Sequence, residues 1–171
     1  DADRELLDRT VRSELALPLH ADARVRECRE RALTLLLAEG FGTDAVAQAW
    51  ADFPELSFLR HRPEQIAWQT QAILRADGQR PLVEVHPFSV RGCTELFVYA
   101  PDRDGLFSTV TAILDRLHFS VVAARVLGSH SGMALDTFLL LESETQQPAS
   151  LERAEELQTR LARALAAPNR T

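Results

Sequence analysis

Thr94-Glu95-Leu96-Phe97-Val98-Tyr99-Ala100-Pro101-Asp102-Arg103-Asp104-Gly105-Leu106-Phe107 is the stretch on which the fold turns. Its first seven residues are rich in aromatic and β-branched side chains, which suit a pleated surface, so 94–100 reads as a strand. Pro101-Asp102-Arg103-Asp104-Gly105 then gathers turn-forming residues in one place. Beyond it Leu106, Val110, Ile113, Leu114 and Leu117 fall at i, i+4, i+7, i+8 and i+11, one face of a helix spanning 105–118.

Downstream, Phe119 to Gly128 alternates and is β-branched, and Ser129-His130-Ser131-Gly132 makes a tight connection to a further strand, Met133 to Glu142. Ser150 is placed to cap a last amphipathic helix carrying Leu151, Ala154, Leu157, Leu161 and Leu165. The order from residue 94 is β-α-β-β-α. That predicts an α+β, ferredoxin-like domain, an antiparallel sheet with two helices on one face, lacking its usual closing strand. Upstream, Pro81-Leu82-Val83-Glu84-Val85-His86 alternates as a strand, and Arg91-Gly92 suits a hairpin turn. In a sheet of order 4-1-3-2, segment 82–88 is therefore expected in the fourth-strand position, antiparallel to 94–100.

Residues 1–77 follow the helical period instead. Val25, Cys28, Ala32, Leu35 and Leu36 line one helix that Gly40 ends. Thr43 is expected to cap a second, with Val46 and Trp50 and a close at Phe53-Pro54, and Pro63 to open a third running through Ile66, Ile73 and Leu74 to Asp77-Gly78. Leu6, Leu7, Val11 and Leu15 indicate a helix before these. The expected division is a helical segment over 1–77 and a sheet domain over 78–171, with its core at 94–166 and its extra strand at 82–88.

With 46% hydrophobic and 26% charged residues, the chain has the balance of a soluble globular protein. The net charge of −6 argues against nucleic acid, because phosphate binding needs a basic face. Cys28 and Cys93 lack metal-like spacing and read as reduced thiols. No signal peptide or apolar run near 18 residues is present, so the expectation is a cytoplasmic protein with no membrane partner. Starting at Asp1 without Met, the chain reads as a piece of a larger protein.

His20, His61, His86, His118 and His130 show no i, i+4 pairing, so no metal site is expected, and no serine has a nucleophile-elbow context. No catalytic residue is assigned. The candidate ligand site is the turn itself, Asp102, Asp104, Gly105, Leu106 and Phe107. Gly105 permits close backbone approach, and the N–H groups opening the next helix form a partly positive end for a carboxylate. Asp102 or Asp104 would meet an ammonium group; the residues alone favour the simpler role, a cap on the helix. Asp136, inside an apolar strand, is either a polar wall of a site or a solvent-facing partner of Arg125, and the second is preferred.

Strand, then Asp102-Arg103-Asp104-Gly105-Leu106-Phe107, then a helix and hairpin resembles the ACT domain, an amino-acid-sensing module. The longer run is similar to the bifunctional enzymes of bacterial nitrogen control that uridylylate and deuridylylate the PII signalling protein, near their first ACT domain. It includes Phe58-Leu59-Arg60-His61-Arg62-Pro63-Glu64-Gln65-Ile66-Ala67-Trp68, Arg91-Gly92-Cys93-Thr94-Glu95 and Gly132-Met133-Ala134-Leu135-Asp136-Thr137-Phe138. The resemblance implies a segment joining the end of an HD domain to a glutamine-sensing ACT domain. It also implies Mg and UTP as requirements of the parent enzyme, PII as its partner, and an ACT–ACT dimer. Asp104 stands where the family commonly has Pro. The other function considered is a non-ligand-binding interaction module that relays a signal from a neighbouring ACT domain.

Overall fold

The structure, a computed structural model, describes residues 18–89 and 91–167. The helix expected around Leu6, Leu7, Val11 and Leu15 lies outside them. Four helices come first: α1 (Pro18–Ala38), α2 (Thr43–Trp50), α3 (Glu55–Arg60) and α4 (Pro63–Ala76). Gly42, not Thr43, holds the cap position of α2, with no side-chain cap. Pro63 opens α4, where its missing N–H costs nothing, and Asp77 ends it in the left-handed region at φ 46°. Helix α3 is too short to leave a periodic signature in the sequence.

The remainder is β1 (Leu82–His86), β2 (Thr94–Pro101), α5 (Leu106–Arg116), β3 (Phe119–Gly128), β4 (Met133–Glu142) and α6 (Leu151–Ala166). The strands form one antiparallel sheet of order β1-β2-β4-β3. This is the ferredoxin-like arrangement, with β1 in the place of the missing closing strand. β1 stops at His86, two residues earlier than expected, at Pro87, which has no N–H for the ladder. Ser150 caps α6 by accepting the Arg153 N–H at 3.1 Å.

The central strands β2 and β4 are covered on both faces. Leu96, Val98 and Ala100 of β2 pack with Leu106, Val110, Phe138, Leu157 and Leu161 beneath α5 and α6. Phe97 and Tyr99, on the opposite face, pack with Leu135 and with Val46, Trp50, Phe58 and Ile66 of the helical segment. A strand buried on both sides reads as a continuous apolar run, which is why 96–100 does not alternate. Burying Phe97 completely contributes roughly 2–3 kcal/mol by removing its apolar surface from water. The β3–β4 hairpin is tied to the helical segment as well. Asp52, just past α2, accepts the Ser131 N–H at 2.7 Å and the Ser131 hydroxyl at 2.6 Å, and its carbonyl accepts the His130 N–H at 3.0 Å.

Candidate functional site

The β2–α5 turn leaves the sheet at Pro101 and enters α5 through Gly105, whose φ of 82° is a conformation that a side chain disfavours. The Asp102 N–H donates to Gly132 O at 3.0 Å, so the turn is held against the β3–β4 hairpin. No side chain caps α5. This corrects the expectation that Asp102 or Asp104 serves as the cap: Gly105 takes that position and both carboxylates are exposed. The start of α5 therefore keeps its donor-rich, partly positive character.

The five predicted residues surround this helix end in different environments. Asp102, Asp104 and Gly105 are exposed. Leu106 is 3% exposed and belongs to the core. Phe107 is 45% exposed and stacks on Phe138, with ring centroids 5.8 Å apart.

Asp136 is the residue that the sequence placed wrongly. It lies on the same face of β4 as Ala134 and Phe138, between Val98 of β2 and Val126 of β3, and is 1% exposed. Arg125 pairs with Thr137 instead. The preference for a solvent-facing Asp136 beside Arg125 is thereby overturned, because a strand covered on both faces has no solvent side. Its Oδ1 is buried with no hydrogen-bond partner among the described residues. Burial pushes its carboxyl up to about 6; the charge of Asp102 adds to the rise, and the Leu127 N–H offsets part of it.

The opposite face of β4 carries a second polar group. The Gln69 amide donates to Thr137 Oγ1 at 2.9 Å, and His61 Nε2 lies 3.2 Å from the same oxygen. His61 Nδ1 lies 3.0 Å from the Ser57 carbonyl, which can only accept, so the proton sits on Nδ1. Nε2 is then the acceptor and Thr137 the donor. Burial holds the imidazole neutral by lowering its pKa, with the charges of Arg125 and Arg91 acting in the same direction and the Ser57 carbonyl opposing. Next to it Glu95, 3% exposed, accepts from Gln65 at 3.4 Å while its Oε2 has no partner among the described residues. Burial raises the Glu95 pKa against the opposing effects of Gln65 and Arg91.

This polar seam was not foreseen. His61, Gln69 and Thr137 are 68 or more positions apart across the seam, and nothing local pairs them. Among the described residues, no three His, Cys, Asp or Glu side chains converge as a metal site, and no helix is long and apolar enough to cross a membrane.

Residues 20–72 match the family model described as the uridylyltransferase GlnD fifth domain. The chain is 40% identical over 139 residues to a bifunctional uridylyltransferase/uridylyl-removing enzyme of Vibrio vulnificus (strain YJ016), covering 81% of this chain and 16% of that protein. The like-named enzyme of Methylococcus capsulatus (strain ATCC 33009 / NCIMB 11132 / Bath) is 37% identical over 157 residues, 91% of this chain and 18% of its own length. That of Xanthomonas axonopodis pv. citri (strain 306) is 38% identical over 138 residues, covering 80% and 16%. No solved structure matches the chain. With an α-helical segment matching the uridylyltransferase fifth domain, followed by a ferredoxin-like sheet, this chain is homologous to one segment, about 16%, of the bifunctional uridylyltransferase/uridylyl-removing enzymes.

Proposed function

We propose that this chain is the glutamine-sensing ACT module of an enzyme that uridylylates and deuridylylates the PII nitrogen signalling protein. The observation that carries the proposal is the uncapped, donor-rich end of α5, together with the buried Asp136 on β4, whose Oδ1 has no partner among the described residues. A helix end favours a carboxylate, which an amino acid carries. In this proposal, residues 1–77 link from an HD domain and residues 78–171 are the ACT domain. The parent is cytoplasmic, and its Mg- and UTP-dependent chemistry lies in other domains, this segment supplying no catalytic group.

The second function is an interaction module. Strand β3 is a sheet edge on which Val121, Val122 and Val126 are 43%, 55% and 57% exposed. Unpaired edges of this kind invite another strand, including that of a second ACT domain. Adding L-glutamine to the isotope-labelled chain separates the two functions. Amide shifts centred on 102–107 and 136 are the result expected of a sensor. Unchanged spectra, with concentration-dependent self-association through β3, would instead identify an interaction module.

A further inference from the structure

We infer that the cavity between the α3–α4 corner and strands β3 and β4 is an anion site, which takes a single phosphoryl group on the guanidinium groups of Arg60, Arg91 and Arg125. It lies on the face of the sheet that the helical segment covers, away from the β2–α5 turn, and does not depend on the effector role proposed above. Three distant stretches of the chain bring the arginines together. Arg60 ends α3, Arg91 lies just before β2, and Arg125 sits on β3 across from Thr137. His61, Gln65 and Thr137 add polar groups to the lining. The cavity measures about 40 Å³, room for one phosphoryl group or roughly three waters and too little for a nucleoside.

The charge of this cavity is one-sided. Among the described residues that line it no Asp or Glu accompanies the three arginines, in a chain whose net charge is −6. Glu95 adjoins it through the Gln65 amide, and burial favours the neutral form of its carboxyl against the charge of Arg91. The charges of Arg125 and Arg91 also reach His61, where they help burial to keep the imidazole neutral. The Thr137 hydroxyl is committed to His61 Nε2 and the Gln69 amide. His61 and Thr137 therefore make a fixed polar floor, and the hydrogen bonds to a ligand come from the guanidiniums. A recess lined by one sign of charge concentrates ions of the other. Each guanidinium presents paired N–H donors that match phosphate oxygens. A planar carboxylate has two oxygens to divide among three such forks. A phosphoryl group has three and carries more charge, so it is the better fit. Arg125 and Ala123 are exposed at the β3 edge, which leaves the rest of a phosphate monoester outside the cavity.

The test is an NMR-monitored titration of the chain at pH 8 and constant ionic strength with inorganic phosphate, with phenyl phosphate and with acetate. Phosphate is expected to shift the amides of 60–65, 91–93, 123–125 and 137. Arg60→Gln, Arg91→Gln and Arg125→Gln are each expected to weaken binding about fivefold or more, and acetate to bind about tenfold more weakly than phosphate. Arg160→Gln, on α6 at the other face of the sheet, is expected to leave binding unchanged. Thermal unfolding curves show that the variants are folded. Phenyl phosphate binding more tightly than inorganic phosphate identifies the phosphoryl end of a monoester as the ligand, and the reverse order identifies free phosphate. Absence of these shifts up to about 20 mM phosphate overturns the site. So does acetate binding as tightly as phosphate, or phosphate affinity that survives all three arginine substitutions.

Discussion

Asp136 and Thr137 are neighbours on β4, face opposite sides of the sheet, and oppose each other in their effect on stability. The Asp136 carboxyl rises to about 6 in the fold, against about 4 in an unfolded chain. The folded protein therefore binds this proton more tightly than the unfolded one. Folding carries a penalty above pH 6 that disappears below pH 4. Replacing the charge is expected to raise stability: Asp136→Asn should gain roughly 1–3 kcal/mol at pH 8 and almost nothing near pH 4, read by urea unfolding at the two pH values. An equal effect at both would contradict a buried ionised group. Thr137 works in the other direction, because His61 Nε2 and the Gln69 amide both depend on its hydroxyl. Thr137→Val keeps the shape and strands both partners, so a loss of about 2–4 kcal/mol is expected, with Thr137→Ser recovering most of it. A loss below about 0.5 kcal/mol would show that the seam is not hydrogen-bonded as described. His61 adds a pH dependence of its own: its pKa is lowered in the fold, so stability falls as pH drops below the unfolded value near 6.5.

Among the elements, the β3–β4 hairpin ties the β2–α5 turn to the helical segment. It accepts the Asp102 N–H through Gly132 and reaches the helical segment through Asp52. Burial pushes the Asp52 carboxyl up, but the hydroxyls of Ser131 and Ser129 and the Ser131 N–H outweigh it and leave the pKa lowered. The carboxylate form is therefore the one that holds the hairpin. Asp52→Ala should cost about 1–2 kcal/mol and speed amide exchange at Ser131 and, through Gly132, at Asp102. Exchange that quickens only at Ser131 would mean that the hairpin and the β2–α5 turn move independently. The tight connection at 129–132, the turn at 101–105 and the helix period that follows it were all legible in the sequence. The Asp52 tie was not, since 79 positions separate its partners and no local pattern links them.

At the scale of the molecule, the helical segment and the sheet share a core. Phe97 touches Trp68 at 6.4 Å and Tyr99 at 6.3 Å between ring centroids, and is fully buried between them and the helices. Both tryptophans, Trp50 and Trp68, belong to the helical segment, so their fluorescence reports on that half. Unfolding followed by tryptophan fluorescence and by exchange of sheet amides is expected to coincide as one transition. Phe97→Ala should lower its free energy by about 3–5 kcal/mol. Two separated transitions would mean that the halves are independently stable and the shared core contributes little.

The sequence by itself determined the longer helices and the strands, α3 excepted, and the β-α-β-β-α order that points to a ferredoxin-like sheet. Periodicity and turn chemistry are local, so they survive in the linear pattern. It also placed segment 82–88, of which 82–86 forms the strand, beside β2, because a short hairpin leaves an antiparallel neighbour few alternatives. Only the tertiary structure decided that β2 and β4 are covered on both faces, and with that the fate of their polar residues. Asp136 became buried between Val98 and Val126, and Glu95 and Thr137 entered a seam against α3 and α4. A strand's alternation says which residues share a face. What covers that face depends on segments far away in the chain.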